Sequence, residues 1–219
     1  MSRRQKRAHE RSSREYDKAK AEWDVDDTRL HQLLDTTKSF TGGTTADKPG
    51  FPLQLKRGER AFLVGQGVTL VEPRRGSGHW TGGYSGFSFR IAKGVRYHVG
   101  GTRGHYVQGE ERPTAVDTGT VTITNQRVVF QGTKKAREWS FDKLLGYQND
   151  SEAPLTLLSV SNRQAVSGFL YDREHAEDVH FRLALGLADF NGTRDDLVRQ
   201  IEAEIAQHHT AKPAPTSTG

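Results

Sequence analysis

The chain has 219 residues, a net charge of +5 and no cysteine, which excludes disulfides, thiolate metal sites and thiol nucleophiles. A hydrophobic fraction of 33%, thinnest at the two ends, fits one folded centre with polar extensions rather than two full domains. No apolar run is long enough to span a bilayer, and the basic N-terminus has no apolar stretch behind it. Neither a membrane span nor a secretory signal is therefore expected, and a cytoplasmic protein, at most peripheral to a membrane, follows.

Charge is spread unevenly along the chain. Residues 1–20 hold eight Lys and Arg against three Asp and Glu, residues 55–150 fifteen against eight, and residues 151–219 six against ten. A basic sheet region followed by an acidic part can meet phosphates on one side and screen them on the other.

Residues 1–40 read as a basic helical arm, because residues 3–38 contain no Pro or Gly and are rich in Arg, Lys, Glu, Gln and Ala. Tyr16, Ala19 and Trp23 form one small stripe, and Leu30, Leu33 and Leu34 a second. The acidic cluster at 24–27 predicts a break, with a second helix capped by Asp26 or Asp27. The first helix, with little to bury, is expected to project or fray. Residues 41–54 (TGGTTADKPG and the residues after it) are a flexible linker by composition.

A β-rich region with a closing helix is expected over 55–190. Phe62, Val64, Val68, Leu70 and Val71 predict a strand or strand pair around Gly65-Gln66-Gly67. Residues 73–83 (PRRGSGHWTGG) read as a glycine-rich loop. Phe87, Phe89 and Ile91 alternate with polar residues and pair, across Lys93-Gly94, with Val95, Tyr97 and Val99. Tyr106 and Val107 begin a short strand before a loop at 110–114. In residues 119–132 (GTVTITNQRVVFQG), Val121 and Ile123 share a face, Asn125-Gln126 interrupts, and Val128 and Phe130 resume the alternation, which predicts a hairpin. A strand at 137–141 and a hairpin formed by 155–161 and 165–171 complete seven to nine short strands, a barrel or sandwich pattern.

Ala176, Val179, Leu183, Leu187 and Phe190 then share a helix face, and Asn191-Gly192 ends that helix. An extra helix follows over 191–209, with Thr193 and Asp196 as a capping box and Leu197, Ile201 and Ile205 as its apolar face. Residues 210–219 form a disordered tail.

The hairpin carries a family resemblance. Thr124, Asn125, Arg127 and Phe130, the Lys134-Lys135 turn, and Phe141 and Leu144 resemble the central hairpin of GRAM and bacterial pleckstrin-homology-like domains over about thirty residues, 119–145. That resemblance implies a fold that is mainly β with α appendages (α+β), a bent antiparallel barrel of about seven strands followed by an amphipathic helix that covers one open end. It says nothing about the N-terminal arm or the last helix. In phosphoinositide-binding relatives the ligand meets basic residues after the first strand, where Arg74 and Arg75 stand here. The usual basic pattern running into the second strand is absent, with only Arg90 nearby.

No catalytic grouping stands out. None of the nine histidines has His-Glu-x-x-His spacing, and His175 and His180 are five apart, off a common helix face. A lone polar histidine of this kind reads as a solvated surface residue. There is no Gly-x-Ser-x-Gly elbow, and Asp117, Glu138 and Asp142 are not marked as a tuned acid–base pair. The glycines at 76–83 lead into a strand rather than a helix N-terminus, so they read as a connection and not a phosphate cradle. No catalytic residue, metal ligand or cofactor is assigned.

The candidates that remain are basic and aromatic: Arg74, Arg75, His79, Trp80, Lys93, Arg103, His105, Lys134 and Lys135. Loops at one end of a barrel can converge, which would make these a cationic patch for a protein partner or an anionic, phosphoinositide-like or membrane surface. Arg90, Arg96 and Arg127 are expected on outward strand faces, with pairing to a loop acid as the other role for Arg127. Trp139 is expected in the core and Trp80 at a partner. The first functional reading is a non-enzymatic adaptor. The alternative is a nucleic-acid-binding protein using the arm from Arg3 to Arg14 and the Arg/Gly/aromatic loops, in line with a pI near 9.5.

Overall fold

The computed structural model describes residues 3–42, 53–73, 79–82, 87–92, 95–99, 104–107, 113–150, 154–163 and 165–214. Two units are recognised, one of residues 40–197 and one combining 1–39 with 198–219.

The larger unit is built on seven antiparallel strands: β1 (Ala61–Pro73), then β6 (Pro113–Thr124), β7 (Arg127–Gly132), β8 (Ala136–Ser140), β9 (Leu144–Asn149), β10 (Leu155–Val160) and β11 (Ser167–Leu170). Their spatial order is β8-β7-β6-β1-β11-β10-β9. Two meanders therefore meet where β11 pairs with β1. Between β1 and β6 come β2 (His79–Gly82), β3 (Phe87–Ala92), β4 (Val95–Val99) and β5 (Gly104–Val107), which pair as two ribbons, β2 with β5 and β3 with β4.

The sheet curls onto itself. Trp139 of β8 is fully buried and its Nε1–H donates to Ser167 Oγ of β11 at 3.1 Å. These strands are four places apart in the sheet, a separation of roughly 19 Å were the sheet flat. Only strong bending brings them together. Phe130, Ile123, Val121, Leu70, Leu158 and Phe169 share the resulting core.

The hairpin expected at 119–132 forms in the predicted register, with Val121 opposite Phe130 and Ile123 opposite Val128. Its other face departs from expectation. Thr122, Thr124, Arg127 and Val129 are buried as well, and the segment at 54–59 crosses the turn end of this face, where Glu59 holds Thr124 and Arg127. Gln126 Nε2 donates to Arg57 O, Asn125 Nδ2 to Gly58 O, and Arg127 Nη2 to Gln54 O.

Of the strand or strand pair expected around Gly65-Gln66-Gly67, a single strand forms, with an extra residue between Gly65 and Val68 relative to β6, a bulge in which Gly67 takes φ +70°. Other expectations are corrected. Residues 79–82, read as loop, are strand β2. β6 begins at Pro113, within the expected loop at 110–114. β9 was not read at all, since LLGYQN lacks the β-branched alternation that marks a strand.

α2 (Ala176–Asn191) follows β11 and lies against β1 and β6. Val179, Leu183 and Leu187 are buried as expected, but so are Phe181 and Leu185 on the opposite side, while Phe190 is 41% exposed beside Phe141. The helix is thus apolar around most of its circumference rather than along one stripe. Gly192 ends it at φ +67°, its N–H reaching Ala188 O and Asp189 O. The capping box expected next does not form, because Thr193 Oγ1 makes no hydrogen bond. The Thr193 carbonyl instead accepts from Asp196 N and Leu197 N at the start of α3 (Arg194–Thr210).

In the smaller unit α1 runs unbroken from Arg3 to Ser39, about 55 Å. The break expected at 24–27 is absent because aspartate costs a helix only a few tenths of a kcal/mol, far less than Pro. An ion pair at Lys20–Asp24 and a side-chain contact at Asp27–His31, each one turn apart, span the acidic stretch. The later part of α3 runs antiparallel to α1, with Lys38 paired to Glu202 and Trp23 stacked on His208. Among the described residues, no helix is long and apolar enough to cross a membrane.

Candidate functional site

Arg74, Arg75, Lys93 and Arg103 lie outside the described residues. The other candidates fall in two places. His79, Trp80 and His105 come onto one ribbon, where β2 and β5 set His79 opposite Val107, Trp80 opposite Tyr106, and His105 opposite Thr81. Lys134 and Lys135 form the β7–β8 turn.

Asp117 of β6 builds that turn. Its carboxylate accepts the backbone N–H of Lys134 at 2.7 Å and of Lys135 at 2.8 Å, with Thr133 Oγ1 at 3.3 Å. The Lys134 N–H above all holds the Asp117 carboxyl below the usual carboxylate range, against the opposing effect of burial and with help from Lys135 and Thr118. Once the acid has satisfied the backbone, the Lys134 side chain is left exposed.

Lys135 reaches across to β1, where its Nζ donates to Glu72 at 2.7 Å, and Arg137 of β8 donates to the same carboxylate. Burial pushes Glu72 upward, but hydrogen bonds from Lys135 and Arg137 outweigh it and lower its pKa. Arg163, in the β10–β11 turn, comes to the same place. Its Nη1 donates to Ser167 Oγ and its Nη2 to the Glu138 carbonyl. Burial and then the neighbouring Arg137 lower the guanidinium pKa, with Glu72 acting in the opposite sense.

Strand pairing explains the meeting. β1 lies between β6 and β11, with Val71 opposite both Ala115 and Gly168. The end of β1 therefore sits beside the start of β11, and the curl brings β8 over both. The segment 74–112, which carries most of the predicted basic residues, leaves the sheet at Pro73 and returns at Pro113, which are paired. Its root is thus one residue from Glu72. Among the described residues, Lys135, Arg137 and Arg163 gather here around Glu72, and the Lys134 side chain is exposed at the adjoining turn, whose backbone Asp117 holds.

Arg137 and Arg163 were not singled out from the sequence. Each looks like an ordinary solvated arginine, one in a strand and one in a turn, and their proximity depends on long-range pairing. The one available signal was indirect: Arg163 sits in the turn of the hairpin predicted at 155–171.

Arg127 has a structural role. Its Nε donates to Glu59 Oε1 at 2.7 Å and its Nη2 to Glu59 Oε2 at 3.0 Å, a forked pair in which the Glu59 side chain is fully buried. Nη1 donates to Glu138, which also takes Lys56. Burial alone raises Glu59, yet hydrogen bonds from Arg127, the Lys56 N–H and the Thr124 hydroxyl prevail and hold its carboxyl low. Of the three acids considered for acid–base work, Asp117 is committed to the turn, Glu138 to Arg127 and Lys56, and Asp142 accepts from Ser140 Oγ.

His180 departs from the expectation of a solvated histidine. Its Nε2 is 2.7 Å from the Tyr171 hydroxyl, which is 2.9 Å from Thr156 Oγ1. Burial pushes the imidazole down to about 4 and, chiefly by the same effect, the Tyr171 phenol up to about 12. Both are neutral near pH 7, and the pair serves as a hydrogen-bonded support between α2 and the end of β11.

On the N-terminal arm, Arg11, Lys18 and Lys20 each pair with an acid one turn further on. No family model, curated protein or solved structure matches this chain.

Proposed function

We propose that the chain is a non-enzymatic binding module of the pleckstrin-homology or GRAM-like kind, whose basic end engages an anionic partner. That partner is the acidic face of a protein or, more weakly, the headgroups of an anionic bilayer. Seven antiparallel strands, curled on themselves and followed by a helix, support the family reading. The observation that carries the functional reading is the convergence at the end of β1. There the root of segment 74–112, the Lys134-Lys135 turn and Arg163 meet, with cations in excess among the described residues. Multivalent anions are attracted to such a patch because several cations act on them within a Debye length.

The test is a titration of isotope-labelled protein, followed by amide chemical shifts, with inositol hexakisphosphate, an acidic peptide, and vesicles with or without phosphatidylserine. Shifts confined to residues 134–137, 163 and the segment 74–112 are expected, and they should shrink as salt is raised. Absence of shifts there with every anion would sink the proposal. Retardation of a DNA duplex at low salt, mapped to the arm instead, would favour the nucleic-acid alternative.

A further inference from the structure

Asp27 and His31 lie one turn apart on α1, so their side chains share a face. α3 runs antiparallel to this stretch and supplies His209, whose Nε2 is 2.7 Å from Asp27 Oδ1. His31 Nδ1 is 3.6 Å from Asp27 Oδ2. One donor atom from each of the three residues falls within 4.8 Å of the others. We propose that Asp27, His31 and His209 form a binding site for a divalent transition-metal ion of the zinc class.

The geometry is close to that of a first coordination shell. Tetrahedral zinc with ligands at 2.0–2.1 Å separates its donor atoms by roughly 3.3 Å, and the two histidine–aspartate separations, one to each carboxylate oxygen of Asp27, lie on either side of that value. Ligation would take the place of the present contact between His209 Nε2 and Asp27 Oδ1. Two imidazoles and one carboxylate select zinc, nickel or copper over magnesium and calcium, which prefer all-oxygen shells.

The surroundings hold the donors in place. Trp23 stacks on the His208 ring at 4.6 Å with planes 7° apart, and its Nε1–H donates to the His208 carbonyl at 3.0 Å. His208 Nε2 in turn lies 3.1 Å from the Trp23 carbonyl. These contacts pin the last turn of α3 to α1 immediately beside His209. His31 Nδ1 also lies 2.9 Å from the Asp27 carbonyl, a contact that ligation through this nitrogen would replace. Because ligands come from both helices, a bound ion would tie α1 to the end of α3 and leave a fourth position to water. The exposed trio Asp172, Glu174 and His175 also has its donors close together, but it comes from one short turn and has no comparable support.

Isothermal titration of tag-free full-length protein, stripped with a chelator and desalted, with zinc chloride tests the site. One-to-one binding is expected, with no heat from magnesium or calcium. His209→Ala and His31→Ala should each weaken zinc binding at least ten-fold, while His175→Ala should leave it unchanged. Circular dichroism checks that each variant keeps its helices. Cobalt(II) added to the unaltered protein supplies a second readout through visible bands that report nitrogen ligation. Absence of zinc binding, absence of cobalt bands, wild-type affinity in the His209 and His31 variants, or loss confined to the His175 variant would each overturn the proposal.

Discussion

At the scale of single residues, the most consequential side chain is Arg127. Its guanidinium is bound on both sides by carboxylates, and the Glu59 side chain has no exposed surface. Removing one partner of a buried ion pair leaves an uncompensated charge, at a cost of about 3–5 kcal/mol. Arg127→Ala should therefore lower the urea midpoint strongly, whereas Arg127→Met combined with Glu59→Leu should recover much of the loss. Additive losses in that double mutant would show that the pair is not coupled. His180 makes a prediction about pH. Its pKa is lowered in the folded protein, so between about 6.5 and about 4 the unfolded chain binds more protons. Stability is then complete above the ordinary histidine range and falls as pH drops through that window, by an amount on the order of 3 kcal/mol. His180→Phe should flatten this part of a stability–pH curve, and an unchanged slope would show that other groups carry it.

At the scale of elements, two contacts decide how helices dock. A Cβ at Gly186 would lie 2.6 Å from the Thr124 carbonyl, so α2 can approach β6 this closely only with glycine there. Gly186→Ala gains up to about 1 kcal/mol of helix propensity but must push the helix off the sheet, and overpacking costs about 1–3 kcal/mol. A lower melting temperature is the expected result, and a higher one would show that the helix shifts freely. In the smaller unit Trp23 is the corresponding anchor. Trp23→Ala removes a ring stack and a hydrogen bond together, and amide exchange over residues 203–210 should speed up several-fold while α2 keeps its protection. Equal exchange in both proteins would mean that the last turns of α3 are held by other contacts.

At the scale of the whole molecule, much of the strand and helix inventory was legible in the sequence. The 119–132 hairpin, the β3–β4 ribbon, the β10–β11 hairpin and the Gly192 helix end all follow from local rules: two-residue alternation, Asn in a turn, and glycine where φ is positive. Two kinds of feature were not. The first is continuity through weak local signals, such as β9 without β-branched residues and α1 through its acidic stretch, where the neighbouring structure outweighs small propensity differences. The second is everything that depends on distant pairing. Lys135 looked like a free turn cation until β1 brought Glu72 beside it. Arg127 looked outward-facing until the 54–59 segment crossed its strand. Arg137 and Arg163 gained a shared location only from the β1–β11 junction and the curl that carries Trp139 to Ser167. If that shared location is what attracts an anionic partner, Lys135→Ala combined with Arg163→Ala should weaken vesicle or inositol-phosphate binding about ten-fold in a co-sedimentation or titration assay, with only a modest fall in melting temperature because Glu72 keeps Arg137. Equal binding would remove this end of the sheet as the contact surface. By itself the sequence determined that the chain is basic, free of cysteine and built of short antiparallel strands with flanking helices, because those properties are set residue by residue or within a single turn. Only the tertiary structure decided which charges are spent inside the protein and which converge at its surface, because that depends on the register between strands far apart in the chain.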